Sequence, residues 1–130
     1  MPSIFSKIIS GEIPCYKIAE TDQFLAFLDI SPLVNGHTLV VPKIETDYIF
    51  DLSDDTLVSM VIFAKEVALR IEKAIPCKRI GMAVIGLEVA HAHIHLVPID
   101  NADDLNFTRP KLSPSRDELN TIAEKIRGQN

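Results

Sequence analysis

This chain is poor in cysteine, has no surplus of positive charge and contains no apolar run of membrane-spanning length, and each shortage removes a class of function. The two cysteines, Cys15 and Cys77, lie far apart and form neither a metal-site nor a redox spacing. They read as free thiols of a reducing compartment. Thirteen basic residues stand against eighteen acidic ones, a formal charge of −5, which argues against a non-specific nucleic-acid binder. A small anionic ligand needs only local donors and stays allowed. Residues 1–14 are amphipathic without the apolar run of a signal peptide. No segment approaches the roughly 20 apolar residues of a membrane span. The expectation is a cytoplasmic protein with no membrane partner. Repeats and low-complexity tracts are also missing. With 130 residues and 47% apolar content, the chain reads as one domain over residues 1–130.

What is there is concentrated. Of four histidines, three fall within five positions, His91, His93 and His95, with apolar residues between them. Alternation of this kind reads as a β-strand, where alternate side chains share a face. The imidazoles then line one side while Ala92, Ile94 and Leu96 enter a core. Same-face residues of a strand lie roughly 6.5–7 Å apart, awkward for three ligands on one ion. The spacing suits one imidazole attacking while its neighbours hold charge, because the group titrates near neutrality. The bland alternative, an edge strand of solvated rings, fits poorly with the apolar flanks.

The remaining pattern supplies a frame. Residues 3–10 have helical spacing stopped by Gly11. Residues 16–20, 24–28 and 37–42 read as strands, the first two joined by a short hairpin loop. Ser53 caps the clearest helix, with Asp54 and Asp55 in its first turn, and Pro76 ends it near Ile75. Leu57, Val61, Ala64, Ala68 and Ile71 mark its apolar face. Residues 79–85 form a fourth strand and the histidine segment the fifth. Residues 101–112 are polar and irregular. A last amphipathic helix follows, with Leu119, Ile122, Ala123 and Ile126 on one face. Without βαβ alternation, the class is α+β with a mostly antiparallel sheet.

The segment His91-Ala92-His93-Ile94-His95-Leu96-Val97 resembles the signature of the histidine triad superfamily, three histidines alternating with apolar residues. Phe27-Leu28-Asp29-Ile30-Ser31-Pro32 and Gly36-His37-Thr38-Leu39-Val40-Val41-Pro42-Lys43 resemble a second block, and residues 4–14 the family's N-terminus. The likeness spans about residues 3–99 and is closest to the small nucleotide-binding branch. It implies a five-stranded antiparallel sheet with one long helix and short terminal helices, continued as ten strands across a homodimer through residues 79–85 and the long helix. It implies hydrolysis at the α-phosphorus of nucleoside phosphoramidates or related purine nucleotides, through a covalent nucleotidyl-histidine on His93. His91 and His95 would hold the phosphate charge. Asp29 would accept from both ribose hydroxyls. Ile4, Phe5, Ile8, Phe27 and Ile30 would surround the base, with core as an equal reading for Ile8. His37 would sit near the phosphate or support the triad. The scheme requires no metal and no cofactor.

The chain also departs from the family. Many bacterial relatives bind zinc through a Cys-x-x-Cys near the N-terminus, with histidines, where this chain has Ser3 and Ser6. Hydroxyls are poor zinc ligands beside thiolates. Hydrolytic relatives carry an asparagine and a Gly-Gln-Ser-like segment ahead of the triad, where this chain reads Ala83-Val84-Ile85-Gly86-Leu87-Glu88-Val89-Ala90. Glu88 near a phosphate is repulsive unless it turns away or protonates a leaving amine. A nucleotide-binding regulatory protein with weak catalysis is therefore the alternative to an enzyme. A metal-binding protein is disfavoured by the lack of a nearby ligand set.

Overall fold

The computed structural model describes residues 2–129. Helix α1 (Ile4–Ile9) precedes strands β1 (Lys17–Glu20), β2 (Phe24–Leu28) and β3 (Thr38–Pro42). Helix α2 (Asp54–Ala74) follows, then β4 (Arg79–Ala83), β5 (Ile94–Ile99) and helix α3 (Arg116–Arg127). Short 3₁₀ turns occupy Ile49–Asp51 and Ala102–Leu105. The five strands form one sheet in the order β1-β2-β3-β5-β4, every neighbour antiparallel. The class is α+β, as the pattern implies. Among the described residues no helix is long and apolar enough to cross a membrane.

Strand parity builds two cores. Phe24, Ala26 and Leu28 of β2, Val40 of β3, and Ile94 and Leu96 of β5 face α2 and α3. Leu25, Phe27, Leu39 and Val41 face the other way and meet Phe5 of α1. This second face, partly roofed by a six-residue helix, is where the histidines emerge. The Ser53 cap holds as expected, its hydroxyl accepting from the Thr56 amide at 3.2 Å. Helix α3 packs its Leu119, Ala123 and Ile126 into the α2 core of its own chain.

Two expectations are corrected. The histidine strand begins at Ile94, so His91 and His93 lie in the bends before it. The Ala92 amide there bonds to the Thr46 carbonyl at 2.7 Å, outside any strand ladder. The alternation survives, with Ala92 in the α2 core. The buried face of α2 is rotated from the expected one: Met60, Phe63, Ala64, Val67, Ile71 and Ala74 are buried, and Val61 is 42% exposed. Bulkier Met60 and Phe63 take the core and turn Val58, Val61 and Ile62 outward.

Candidate active site

The site lies where β3, β5 and the bends before β5 meet the loop after β2. Gly36 makes the turn that delivers His37. Its φ is +97°, and an added Cβ would come within 3.2 Å of Ile75 and Pro98. His37, His91, His93 and His95 are all buried, and their hydrogen bonds determine which nitrogens carry protons.

Backbone groups set the tautomers, because an amide can only donate and a carbonyl only accept. The Leu33 amide donates to His37 Nδ1 at 3.1 Å, so the His37 proton is on Nε2. That Nε2–H donates to His95 Nδ1 at 3.0 Å, so the His95 proton is on its own Nε2. His93 Nδ1–H donates to the His91 carbonyl at 2.8 Å, which leaves Nε2 with its lone pair free. The His93 and His95 ring centres are 4.8 Å apart. A nitrogen with a free lone pair thus stands beside a ring whose outer nitrogen carries a proton.

His91 does not fit the expected part. It is fully buried, its Nε2–H donating to the Pro42 carbonyl at 2.8 Å and its Nδ1 accepting from Ser3 Oγ at 2.7 Å. Both ring nitrogens are spent on protein, and none is left for a phosphate. The side chain instead anchors the carbonyl that orients His93. Ser3 and Ser6 converge here with Glu45, whose Oε1 accepts from the Ser3 amide at 2.6 Å and the Ser6 hydroxyl at 2.7 Å. Two hydroxyls, one carboxylate and an engaged imidazole are a poor donor set for zinc. The position is a hydrogen-bonded tie from α1 to the triad, which Glu45 gave no sign of in the sequence.

Asp29 ends the loop after β2, with Oδ1 accepting from the Ser31 amide at 2.9 Å and Oδ2 lying 3.8 Å from His37 Nε2. One oxygen of Asp29 therefore closes a local turn, and the second accepts no hydrogen bond from the described residues. Burial pushes its carboxyl above the usual range, and Glu88 adds to that. Asp29, His37 and His95 place ligand atoms within 4.8 Å of one another. A metal there would have to displace the His37 proton and the Leu33 and His95 hydrogen bonds, so the donor set is spent.

Burial lowers the pKa of the His37, His93 and His95 rings. His37 is held at about 3 and His95 at about 4, in each case by burial first and then by neighbouring positive charge. His93 is lowered too, by burial, although Asp29 and Glu88 pull it back up. The charge of Glu88 therefore reaches the His93 ring.

Of the expected base-binding residues, Phe5 and Phe27 pack edge to face at 5.7 Å, and Phe5 also meets His93 at 5.0 Å. Ile4 and Ile30 remain 51% and 64% exposed. Ile8 packs on the cluster around Phe5, which favours its core reading. On another side of His93 lies a cavity of about 670 Å³, walled by Tyr48, Phe50, Val61, Met82 and Leu87 among others. Two further neighbours of the site carry no mark in the sequence. Phe107 lies edge to face on His95 at 4.7 Å, and Lys111 is close enough for its charge to act on Asp29, His37 and His95.

The HIT domain model matches residues 10–102, short of Phe107 and Lys111. Adenosine 5′-monophosphoramidase hnt1 of Schizosaccharomyces pombe is 35% identical over 132 aligned positions, covering 97% of this chain and 96% of that protein. Among solved structures, a Hit-like protein involved in cell-cycle regulation from Bartonella henselae superposes with a TM-score of 0.83 at 30% identity, covering 96% of this chain and 94% of that one. A zinc-bound histidine triad family protein from Mycobacterium smegmatis gives a TM-score of 0.82 at 30% identity, covering 95% and 89%.

Proposed function

This chain belongs to the HIT domain family, and from that membership we propose that it is a nucleotide hydrolase that cleaves nucleoside 5′-phosphoramidates through a nucleotidyl group on His93. The observation that carries the proposal is the His93 ring, held by its Nδ1–H so that Nε2 points its lone pair outward. The similarity to a phosphoramidase over nearly the whole chain supports the leaving group.

In the first step Nε2 bonds to the α-phosphorus. The P–N bond to the amine breaks with its electron pair on the amine, which takes a proton from solvent. The phosphorylated ring is a cation, and the His91 carbonyl on its Nδ1–H becomes a charge-assisted acceptor. His95 Nε2–H donates to a non-bridging oxygen. Water then attacks phosphorus, the P–Nε2 electron pair returns to His93, and a water proton goes to solvent. Asp29 accepts from the ribose hydroxyls, and Ile4, Phe5, Phe27 and Ile30 flank the base, with Ile8 beneath. A second reading, nucleotide binding with weak catalysis, draws on Glu88, whose charge reaches His93 and would oppose an incoming phosphate.

Turnover of adenosine 5′-phosphoramidate by the wild-type protein separates the two. Release of ammonia and adenosine monophosphate supports the enzyme; binding of the monophosphate without turnover supports the second reading. Because burial lowers the pKa of His93, the acid limb of kcat/KM should fall below pH 6.5, the ordinary histidine value. An acid limb at or above that value would count against a desolvated nucleophile.

A homodimer belongs to the same proposal. β4 is an edge strand, and it leads Met82, Val84 and Ile85 into solvent at 55%, 43% and 45% exposure. Val58, Val61 and Ile62 of α2 are exposed as well. An uncovered apolar edge of this kind invites pairing with a second chain. Sedimentation at micromolar concentration should give the mass of two chains, and Met82→Glu should shift it toward one.

A further inference from the structure

Residues 106–112 form a strap across the outer side of the triad. One end is secured by Arg109, which donates to the Asp103 carbonyl at 2.8 Å and pairs with Asp104 at 3.2 Å. At the other end the Leu112 amide donates to the Pro32 carbonyl at 2.9 Å, so the strap is pinned to the loop that carries Asp29. Between these ties Phe107 covers His95 and stands 6.1 Å from the His37 ring, edge on. Lys111 is exposed, and its Nζ donates to the Phe107 carbonyl at 2.7 Å and the Arg109 carbonyl at 3.4 Å. Among the described residues, no carboxylate forms an ion pair with it.

The charge around the triad makes this lysine conspicuous. His37 and His95 are neutral by their hydrogen bonds, since each accepts on Nδ1 while donating or free to donate on Nε2. His93 must be neutral to attack. Asp29 and Glu88 both bring negative charge near His93. A nucleoside monophosphate, carrying about −1.5 to −2 charges at neutral pH, would enter a site of uncharged rings and two carboxylates. The dianion requires a cation. Lys111 supplies one whose field already reaches Asp29, His37 and His95, on a flexible stem that can exchange two solvent-exposed carbonyls for a phosphate.

We propose that the 106–112 strap walls the phosphate subsite and that Lys111 pairs with the phosphate of the bound nucleotide. The inference rests on the nucleotide reading above and adds a residue beyond the segment that defines the family. It is tested by titrating wild type, Lys111→Ala and Lys111→Arg with adenosine monophosphate and with adenosine, by calorimetry at low salt. Lys111→Ala should bind the monophosphate about ten-fold more weakly, the size of one charge-assisted contact. It should bind adenosine as wild type does, and Lys111→Arg should keep most of the monophosphate affinity. Raising the salt should narrow the difference. Equal monophosphate affinity in Lys111→Ala overturns the proposal. So does a parallel loss for adenosine, which would place the effect of Lys111 away from the phosphate. Failure of wild type to bind either ligand overturns the nucleotide reading, and this inference with it. Lys111 is exposed, so the variants keep the fold, and an unchanged melting temperature verifies that.

Discussion

His93→Ala should lose phosphoramidate turnover by on the order of 10⁴-fold while still binding adenosine monophosphate within a few-fold of wild type. The asymmetry follows from the site's construction. Ribose recognition is proposed for Asp29 and phosphate pairing for Lys111 and His95, and none of these depends on the His93 ring. Bond formation depends on it entirely, because no protein donor occupies the lone pair of its Nε2. His95→Ala should behave differently. It removes a donor from a reaction that can still proceed, and it leaves His37 Nε2–H without its acceptor, so both rate and stability fall. The direct check is rapid quenching of wild type during turnover, followed by intact mass and fragment mapping. One nucleotidyl adduct on His93 is the expected result. A His93→Ala protein that retains a tenth of the wild-type rate would sink the covalent scheme.

How much of this could be read in the sequence depended on whether local or distant atoms decide it. The face occupied by each residue of the histidine segment was legible, because period-two alternation survives even where the chain bends rather than pairs. Ala92, Ile94 and Leu96 do enter the core. The start of the strand was not legible. It is decided by the Thr46 and Pro42 carbonyls, 46 and 49 positions upstream, which capture the Ala92 amide and the His91 ring. The inward turn of His91 was hidden for the same reason, since its partner Ser3 lies 88 positions upstream. Ser3 and Ser6 stand out in the sequence as hydroxyls near the N-terminus, but the carboxylate that completes their cluster, Glu45, stands in a segment with no pattern of its own. The strap carries the faintest signal of all. Its composition is polar and irregular, and a single aromatic at Phe107 is too weak a mark to place it over a histidine. The α2 face is ambiguous by one position in the sequence because both Val61 and Met60 continue an apolar spacing, and only the volume of the core selects Met60.

Acidification should destabilise this fold far more than its carboxylates alone would. His37 is held at about 3 and His95 at about 4, against an ordinary value near 6.5. Below pH 6.5 the unfolded chain therefore binds two protons that the folded chain refuses, and stability falls as pH falls. The contribution is fully present above pH 6.5 and is consumed between there and the folded values. At about 1.4 kcal/mol per unit, the pair amounts to on the order of 5 kcal/mol by pH 4, comparable with the whole stability of a typical domain. Asp29 works in the opposite sense. Its raised pKa lets the folded state take up a proton before the unfolded one, so its contribution is present at low pH and lost as pH rises through the folded value. One modest shift cannot offset two large ones. Thermal melts should lose on the order of 15 °C between pH 7 and pH 4, most of it below pH 6.5. His37→Gln separates this cause from general acid unfolding. Glutamine can still donate toward His95 but does not titrate, so the variant should start less stable at pH 7 and lose less on acidification. A wild-type melt that is flat from pH 7 to pH 5 would mean that the folded rings take up protons as readily as the unfolded ones. The His37–His95 pair would then charge on mild acidification, and His95 could meet a phosphate as a cation without help from Lys111.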